Sequence, residues 1–392
     1  MKRKAVSLPT LIAGMMAAAL VTAVLILALV PNPVKGWIFG SDSLSKYFEI
    51  KQIIDNSFVE DVDDAALADG VGLGMIYTLD DRYSAYYTAE QYTSVKNSNE
   101  GVGAGIGVTI SEHPDTGNLY IVNVSVDSPA DKAGIRAADQ ITAVDGKQVT
   151  ELGYSKAVSA VRGDSGTSVK LTLLRGNKEL TVTATRGEYV STSVFSHMIG
   201  TLCYIQITDF NAATVGQFET AVNDAQSSGA TGLIFDLRGN GGGTLDSVEK
   251  MLDILLPEGD VVSATYKNGN KRVLFTSDKY EVDLPMTVLT DENTASASEL
   301  FAAAIRDYNK GALIGENTFG KGIMQRTFEL SDGSAVRMTI AYFNPPSGVN
   351  FHEVGLAPDV DVKMTDEQKE RRYLLDDDTD PVIAAAVKYL SK

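Results

Sequence analysis

The pattern of hydrophobic and polar positions begins with an uncharged, largely apolar run over residues 11–30, directly after three basic residues at 2–4. Its 20 residues match the roughly 20 that a helix needs to span a bilayer. The run is longer than the core of an ordinary signal peptide, and the basic residues favour the cytoplasmic side. We therefore predict a transmembrane signal-anchor and tether over residues 1–36, with a cleaved signal peptide and a buried core helix as the alternatives.

Residues 42–98 have apolar positions at helical spacing, which predicts a helical segment. The polar residues 96–100 end this segment as a linker. The helix-spaced apolar residues form two sets: Phe48, Ile50, Ile53, Ile54 and Phe58, then Leu67, Val71, Leu73 and Ile76.

Residues 99–187 change to short apolar strands with two short helices, which predicts an α+β domain. The last two strands read as a hairpin around the turn at 175–177. The predicted strands are 120–124, 140–144, 168–174 and 179–185, and the predicted helices are 128–133 and 155–161.

Residues 188–363 alternate between strand and helix patterns, which argues for an α/β core. A hairpin turning at Asp332 and Gly333 closes this part, and residues 364–392 form a polar, helical tail. The predicted elements are strands at 202–207, 232–237 and 286–290 and helices near 213–227, 245–256 and 295–308. The fold class is therefore multidomain α/β.

Composition excludes several function classes. Asp and Glu number 51 against 34 Lys and Arg, giving a formal charge of −17, which argues against nucleic acid as a partner. One cysteine rules out an intramolecular disulfide framework, and the three histidines lack metal-ligand spacing. Chemistry must come from serine, lysine, carboxylates, glutamine and backbone amides.

Two segments could supply a nucleophile and the donors for an oxyanion. The glycine-rich residues 239–243 follow an apolar strand and precede a helix, where free backbone N–H groups can bind an anion or an oxyanion. Ser296 lies near the first turn of a predicted helix, whose positive end favours developing negative charge. A plain glycine turn and a plain helix cap remain the structural alternatives.

Lys321 is a candidate base because it stands between Gly320 and Gly322 in a largely uncharged segment. Burial without an adjacent carboxylate would lower its proton affinity enough to accept a serine proton. Gln325 follows four residues later, which on an extended chain places both side chains on one face. Gln325 could then hold the amine, although a surface lysine and a strand glutamine are common.

Together these segments resemble the carboxy-terminal processing peptidases, or tail-specific proteases, a Ser/Lys serine endopeptidase family. The resemblance spans residues 47–362. It is carried by the loop at 236–243, which lacks the family's usual proline, and by segments 295–299, 318–322 and 342–359. It implies that no metal or organic cofactor is needed. The implied roles are Ser296 as nucleophile, Lys321 as base, Gln325 as its orienting residue, and Gly242 and Ala297 as oxyanion-hole amides.

The resemblance also implies a PDZ domain over residues 99–187, followed by a protease core. Its loop would bind a substrate carboxylate through Gly105, Ile106, Gly107 and Val108 while the substrate adds a strand to the sheet edge. The implied partners are proteins with exposed C-terminal tails and the membrane, and the helical flanks 44–97 and 364–390 suggest a homodimer.

We therefore predict a single-pass membrane serine endopeptidase whose catalytic part faces outside the cytoplasm, in a bacterial-type cell envelope. A catalytically degenerate, membrane-tethered PDZ scaffold for peptides is the alternative, and the intact Ser296, Lys321 and Gln325 set counts against it. A cyclic-ester or amide hydrolase using the same dyad is a third possibility.

Overall fold

The computed structural model describes residues 42–392 together with residues 15, 16, 19 and 22. The predicted membrane anchor therefore lies outside the described residues, apart from these isolated positions. No helix in the described part of the chain is both long and apolar enough to cross a membrane. The chain divides into two compact units, Met1–Gly74 and Met75–Lys392.

Two helices begin the continuously described chain, α1 (Asp42–Ser57) and α2 (Asp64–Tyr77). Although the sequence has apolar residues at helical spacing in α2, none of the residues of this helix is buried. Large apolar side chains of this region are exposed, among them Phe48, Ile53 and Leu73. Such a surface is wider than the scattered exposed apolar residues of an ordinary monomer.

The helical segment predicted over residues 42–98 is interrupted after α2, because the chain forms strand β1 (Ala85–Tyr87) before helix α3 (Ala89–Glu100). The Asp81 carboxylate accepts hydrogen bonds from the Tyr83 amide and the Ser84 hydroxyl. Local bonds of this kind offer the backbone an alternative to the helix. The aromatic residues that follow then pair with a distant strand.

Residues 99–187 were expected to form the PDZ domain, and we call them the PDZ segment. They contain a small α+β unit, and the four strands predicted from the sequence coincide with observed strands to within about one residue at each end. Its sheet has the order β3-β4-β5-β7-β8, with β6 beside β5, while β2 pairs with β9. Its core contains Leu119, Ile141 and Leu171. The elements are β2 (Val102–Gly105), β3 (Val108–Glu112), β4 (Leu119–Val124), α4 (Pro129–Lys132), β5 (Gln140–Val144), β6 (Lys147–Gln148), α5 (Val149–Leu152), α6 (Tyr154–Val161), β7 (Ser168–Arg175), β8 (Lys178–Thr185) and β9 (Gly187–Val190).

The α/β core that the strand–helix alternation predicts is present. Its main sheet has the order β10-β11-β12-β15-β16-β19, with β10 antiparallel and the other strands parallel. The elements are β10 (Val194–Ile199), β11 (Leu202–Ile207), α7 (Ala212–Ser227), β12 (Gly232–Asp236), α8 (Leu245–Leu255), β13 (Gly259–Tyr266), β14 (Lys271–Ser277), β15 (Met286–Thr290), α9 (Ala297–Asp307), β16 (Gly311–Gly315), β17 (Ile323–Glu329), β18 (Ala335–Asn344), β19 (Val360–Asp361), α10 (Asp366–Glu370), a 3-10 turn (Arg372–Leu374) and α11 (Pro381–Leu390).

Helices cover both faces of this sheet, which explains why its strands are apolar on both sides. On one face Phe235 packs against Phe218 and Phe301 of helices α7 and α9, with ring centroids 5.7 and 5.3 Å away. On the other face Ile234 packs in one cluster with Val382 of α11. The C-terminal helix is therefore part of the core.

A second sheet has the order β1-β18-β13-β14, and β17 pairs with β18. Strand β18 is the longest of the structure at 10 residues. It therefore pairs with β1, β13 and β17 along its length. Strand β18 therefore lies between the aromatic strand β1 and strand β17, which follows Lys321.

Candidate active site

The glycine-rich loop lies at the carboxyl edge of the parallel sheet, where open α/β sheets generally bind ligands. It follows β12 and begins at Arg238, whose buried guanidinium is held by Asp236 at 2.7 Å and Asp380 at 2.9 Å. Asp380 also caps α11 by accepting from the amides of Val382 and Ile383. The start of the loop is thus fixed between β12 and the C-terminal helix.

The two residues expected to form the oxyanion hole are neighbours. A Cβ placed on Gly242 would lie 3.0 Å from the backbone nitrogen of Ala297 and 2.8 Å from the oxygen of Ala295. Ala297 is the first residue of α9, and the first N–H groups of a helix have no partner within it. The Gly242 amide, however, donates to the side-chain oxygen of Asn240 at 2.9 Å. Its role as an oxyanion donor requires this bond to open and stays a prediction.

Ser296 immediately precedes α9 in a strained backbone conformation, with φ 60° and ψ −116°. A positive φ is unusual for a residue other than glycine and often marks a functional turn. The preceding Ala295 amide is held by the carbonyl of Asn240 at 3.0 Å. The glycine-rich loop therefore fixes the entry to the helix that carries the candidate nucleophile.

Lys321 is half-buried, and burial lowers its pKa below the usual value. The positive charge of Arg337 lowers it further, while the carboxylates of Asp81 and Glu299 act in the opposite direction. The expectation that no carboxylate lies near this lysine is therefore wrong, although the direction of the pKa shift is the expected one. The Lys321 amine lies 4.9 Å from the centre of the Tyr83 ring.

Glu299 joins the two candidate catalytic segments, and the sequence reasoning gave it no role. Its fully buried carboxylate accepts from the backbone nitrogens of Ser296, Gly320 and Lys321 at 2.8, 2.7 and 2.7 Å. It also accepts from the Thr318 hydroxyl at 2.5 Å. The signal was present in the sequence, because a serine followed three positions later by glutamate is a capping-box pattern.

One cleft of about 440 Å³ brings most of the predicted residues together. We call it the active-site cleft and define it by Ser296, Ala297, Lys321, Gln325 and Arg337. Glycines of the loop and helix α3 also line it. Within the described chain no hydrogen bond joins the Ser296 hydroxyl to the Lys321 amine, a contact that often tightens only when substrate binds.

Gln325 lies in the active-site cleft but does not hold Lys321. Its side-chain nitrogen donates to the Thr339 hydroxyl at 3.2 Å and to the Ile323 carbonyl at 3.3 Å. The pairing of β17 with β18 shifts register between Met324 and Gln325. The unpaired residue of this bulge, Ile340, is on β18. Lys321 precedes β17, which begins at Ile323, so counting in steps of two from Lys321 did not start on the strand.

The loop at residues 105–108 runs from β2 to β3 and is held in place through its carbonyl groups. Gly105, Ile106 and Gly107 are buried. The Ile106 carbonyl accepts from the Ala130 amide at 2.7 Å, and the Gly107 carbonyl accepts from the Ser125 amide at 2.9 Å. Binding of a substrate carboxylate by these residues and by Val108 stays a prediction.

The free edge of β3 is also covered by side chains. The Tyr154 hydroxyl donates to the Ile110 carbonyl at 3.2 Å, and the Tyr373 hydroxyl donates to the Glu112 carbonyl. Carbonyls two residues apart on a strand point the same way, so both bonds occupy the edge to which a peptide strand would be added.

Within the described residues, no group of three or more histidine, cysteine, aspartate or glutamate side chains could hold a metal ion.

Comparisons with known proteins agree with this architecture. The family model described as peptidase family S41 matches residues 201–362, the PDZ domain model matches residues 104–185, and the model for the N-terminal domain of the activating protease CtpB matches residues 34–91. A solved structure of a photosystem II D1 C-terminal processing protease is 27% identical, covers 86% of this chain and 92% of its own, and has a TM-score of 0.51.

Two curated relatives come from Bacillus subtilis (strain 168). The carboxy-terminal processing protease CtpA is 37% identical over 333 residues, which cover 84% of this chain and 70% of the relative. The carboxy-terminal processing protease CtpB is 32% identical over 339 residues, covering 83% and 68%. The fold and these relatives define a serine-type peptidase that carries a PDZ domain. The chain belongs to peptidase family S41, among the carboxy-terminal processing proteases.

Proposed function

We propose that this chain cleaves proteins near their C-terminal tails with a Ser296–Lys321 dyad, outside the cytoplasm and anchored to a membrane. The observation that carries the catalytic part is the shared cleft, in which Ser296 lies at the start of α9 and Lys321 is desolvated. A lysine with a lowered pKa is neutral often enough to accept a proton from a serine hydroxyl.

The reaction follows from these positions. Neutral Lys321 takes the hydroxyl proton as Ser296 attacks the scissile carbonyl, and the oxyanion is stabilised by backbone N–H groups, with Ala297 the better placed of the two candidates. Lys321 then gives its proton to the leaving amine, which leaves an acyl-enzyme. Water, deprotonated by Lys321, hydrolyses the ester and restores Ser296. Gln325 orients the Lys321 amine once its side chain has exchanged the hydrogen bond to Thr339 for one to this amine.

The test is cleavage of casein or a tail peptide by the purified full-length chain. We expect turnover by the native protein and none by Ser296→Ala, with binding of the peptide retained in the variant. Binding without any turnover by the native protein would instead identify the PDZ peptide-binding scaffold. Turnover that survives Ser296→Ala would exclude this serine as the nucleophile.

Membrane anchoring is proposed from the uncharged run at residues 11–30 and the basic residues before it. The expected result is that the protein fractionates with membranes, resists extraction by high salt and is released by detergent. Its catalytic part should be degraded by protease added to cells whose plasma membrane is intact and whose outer membrane face the protease can reach. A soluble product that begins near residues 31–40 would show cleavage and contradict the anchor.

A homodimer is proposed from the apolar side chains that α1 and the following turn expose. Phe48, Ile53 and Phe58 are 63, 58 and 57% exposed, and a second copy is a simple way to bury such a surface. Light scattering of the purified protein should give twice the chain mass. Phe48→Ser with Ile53→Ser should shift the mass to that of a monomer, whereas a native monomer would contradict the proposal.

A further inference from the structure

Arg337 is a cation in the active-site cleft without a counter-ion. It lies on strand β18 and lines the cleft together with Ser296 and Lys321. Its Nε atom is buried without a hydrogen-bond partner. Throughout the described chain, no carboxylate oxygen lies within ion-pair distance of its guanidinium. The guanidinium that lines the cleft therefore contains a buried donor that no group in the described part of the chain satisfies.

Among the arginines of the described chain, Arg337 is distinguished by a buried side-chain nitrogen without a hydrogen-bond partner, in a chain that carries a net charge of −17. Several other arginines are held by carboxylates: Arg175 by Asp139, Arg238 by Asp236 and Asp380, Arg371 by Asp115, and Arg372 by Asp291. Carboxylates that could pair with an arginine are thus plentiful in this chain, but none lies beside the Arg337 guanidinium.

The surroundings of Arg337 hold it in place without neutralising it. Its guanidinium carbon lies 5.3 Å from the centre of the Tyr87 ring on β1, at a distance typical of cation–π contacts. Its backbone pairs with Thr327 on one side and Ala85 on the other. A guanidinium positioned by strands on both sides is preorganised, so binding an anion costs little additional ordering.

The chemistry of the unpaired group identifies its ligand. A buried donor without an acceptor is costly, and the planar guanidinium matches a carboxylate with two parallel hydrogen bonds. The molecule that enters this cleft is a peptide, whose carboxylates are the side chains of aspartate and glutamate and the free C-terminus.

We propose that Arg337 is a specificity-determining residue that binds a carboxylate of the substrate beside the scissile bond. The protease would then favour peptides with an acidic side chain or a terminal carboxylate within a few residues of the cleavage point. This inference rests on the proposed function, because it assigns the substrate class of the same cleft.

A different role is open to the same residue. The positive charge of Arg337 also lowers the pKa of Lys321, so its removal could slow every substrate alike. The two roles differ in what they predict for paired substrates: a carboxylate site changes the ratio between an acidic peptide and its neutral match, whereas an effect on Lys321 leaves this ratio unchanged.

The experiment uses the full-length protein and matched peptide pairs. In one series Asp replaces Asn at successive positions around the scissile bond, and in the other the C-terminus is a free acid or an amide. We expect kcat/KM of the native protein to favour the carboxylate member of one pair by about tenfold or more, as for hydrogen bonds to a charged group. The series in which the preference occurs distinguishes a side chain from the C-terminus.

The variants then assign the preference to a residue. Arg337→Gln should abolish it while neutral peptides are still cleaved, and Arg337→Lys should keep part of it. Arg326→Gln is the matched control, because Arg326 is exposed on the neighbouring strand and absent from the cleft lining. It should behave as the native protein does.

Two results would overturn the proposal. One is a native protein that cleaves every pair equally, which requires no folded variant. The other is an Arg337→Gln protein that keeps the native ratio, or slows both members of each pair alike. If the native protein cleaves no peptide, or if cleavage survives Ser296→Ala, the proposed function itself is contradicted.

Discussion

The Glu299 carboxylate lies 2.7 Å from the backbone nitrogen of Lys321 and also accepts from the amide of Ser296. One buried side chain therefore holds both candidate catalytic segments, although 25 residues separate them in sequence. Because it bonds to backbone groups, it sets the path of the chain on which each reactive side chain is mounted. Its removal should affect catalysis and stability together.

Glu299→Gln should lose both stability and turnover. The amide keeps one acceptor oxygen and places a donor group against backbone N–H groups, and each lost hydrogen bond to a charged group is worth about 1.5–3 kcal/mol. Displacement of the reacting groups by about 1 Å can cost roughly 100-fold in rate. Urea unfolding and peptide cleavage measure the two effects. The control is Glu219→Gln on the exposed side of α7, and a native kcat in Glu299→Gln would refute the positioning role.

Activity should rise with pH through the titration of Lys321. Burial is the main cause that lowers the pKa of Lys321. The neutral, proton-accepting fraction grows as pH increases, and it reaches one half at a pH below about 10.4, the usual pKa of a lysine. The kcat profile of peptide cleavage should therefore rise with a midpoint below that value. A flat profile in which chemistry limits the rate would argue against a lysine base.

Lys321→Arg tests the same assignment directly. Arginine keeps the positive charge but stays protonated, so cleavage should fall by at least about 100-fold, the lower range for general-base catalysis. Lys250→Arg is the matched control, because this lysine is exposed on α8 and paired with Asp246. Near-native turnover in folded Lys321→Arg protein would require a different base.

Gln325→Ala should reduce turnover less than Lys321→Arg does. In the structure Gln325 bonds to Thr339 and not to the amine, so the reactive groups remain when its side chain is removed. Thr339→Val removes the competing partner and frees the Gln325 amide, which should leave turnover unchanged or raise it. The rates of both variants with one peptide check this order. If Gln325→Ala lost more turnover than Lys321→Arg, the prediction would be wrong.

Strands in which buried residues alternate with exposed ones, or follow one another without a break, could be predicted from sequence. Strand β7 alternates exposed and buried residues, and β12 and β15 are buried throughout, so the hydrophobic pattern alone indicated them. The details of the candidate site depend on contacts between distant segments. Strand β1 forms because β18 pairs with it, and neither the start of β17 after Lys321 nor the bond between Gly242 and Asn240 leaves a periodic signal.

Asp380→Asn should destabilise the protein by about 3 kcal/mol, because it breaks one of the two buried carboxylate pairs of Arg238. The asparagine oxygen can still cap α11, so the loss reports the charge and not the cap. Asp376→Asn, at an exposed turn before the helix, is the control in urea unfolding. Equal stability of the two variants would show that the pair with Arg238 contributes little.

Acid should destabilise the same cluster. Burial opposes ionisation of Asp236, but the Arg238 guanidinium prevails and holds the pKa of Asp236 below its usual value. A lowered carboxyl pKa contributes stability that is full above the unfolded value of about 3.9 and is lost as pH falls through the folded value. The free energy of unfolding should therefore decrease with acidification below about pH 4. A constant value there would contradict the charged pair.

Tyr373→Phe should strengthen binding of a tail peptide to the PDZ segment. The Tyr373 hydroxyl occupies the Glu112 carbonyl on the edge of β3, and a peptide strand added to this edge must compete with it. Removing the hydroxyl frees the carbonyl while the ring can still pack on Tyr120, whose centroid lies 5.1 Å away. The expected gain is about 0.5–1.5 kcal/mol, the net worth of one neutral hydrogen bond.

The measurement is fluorescence anisotropy of a labelled tail peptide with the full-length Ser296→Ala protein, with and without Tyr373→Phe. Tyr389→Phe is the matched control, because this tyrosine lies on α11, away from β3. A peptide with an amidated C-terminus should bind more weakly to both proteins by about 1.5–3 kcal/mol if backbone N–H groups of the loop at 105–108 bind the carboxylate. Unchanged affinity in Tyr373→Phe would mean that tails bind elsewhere than at this edge, and equal affinity for acid and amide would remove the loop from tail recognition.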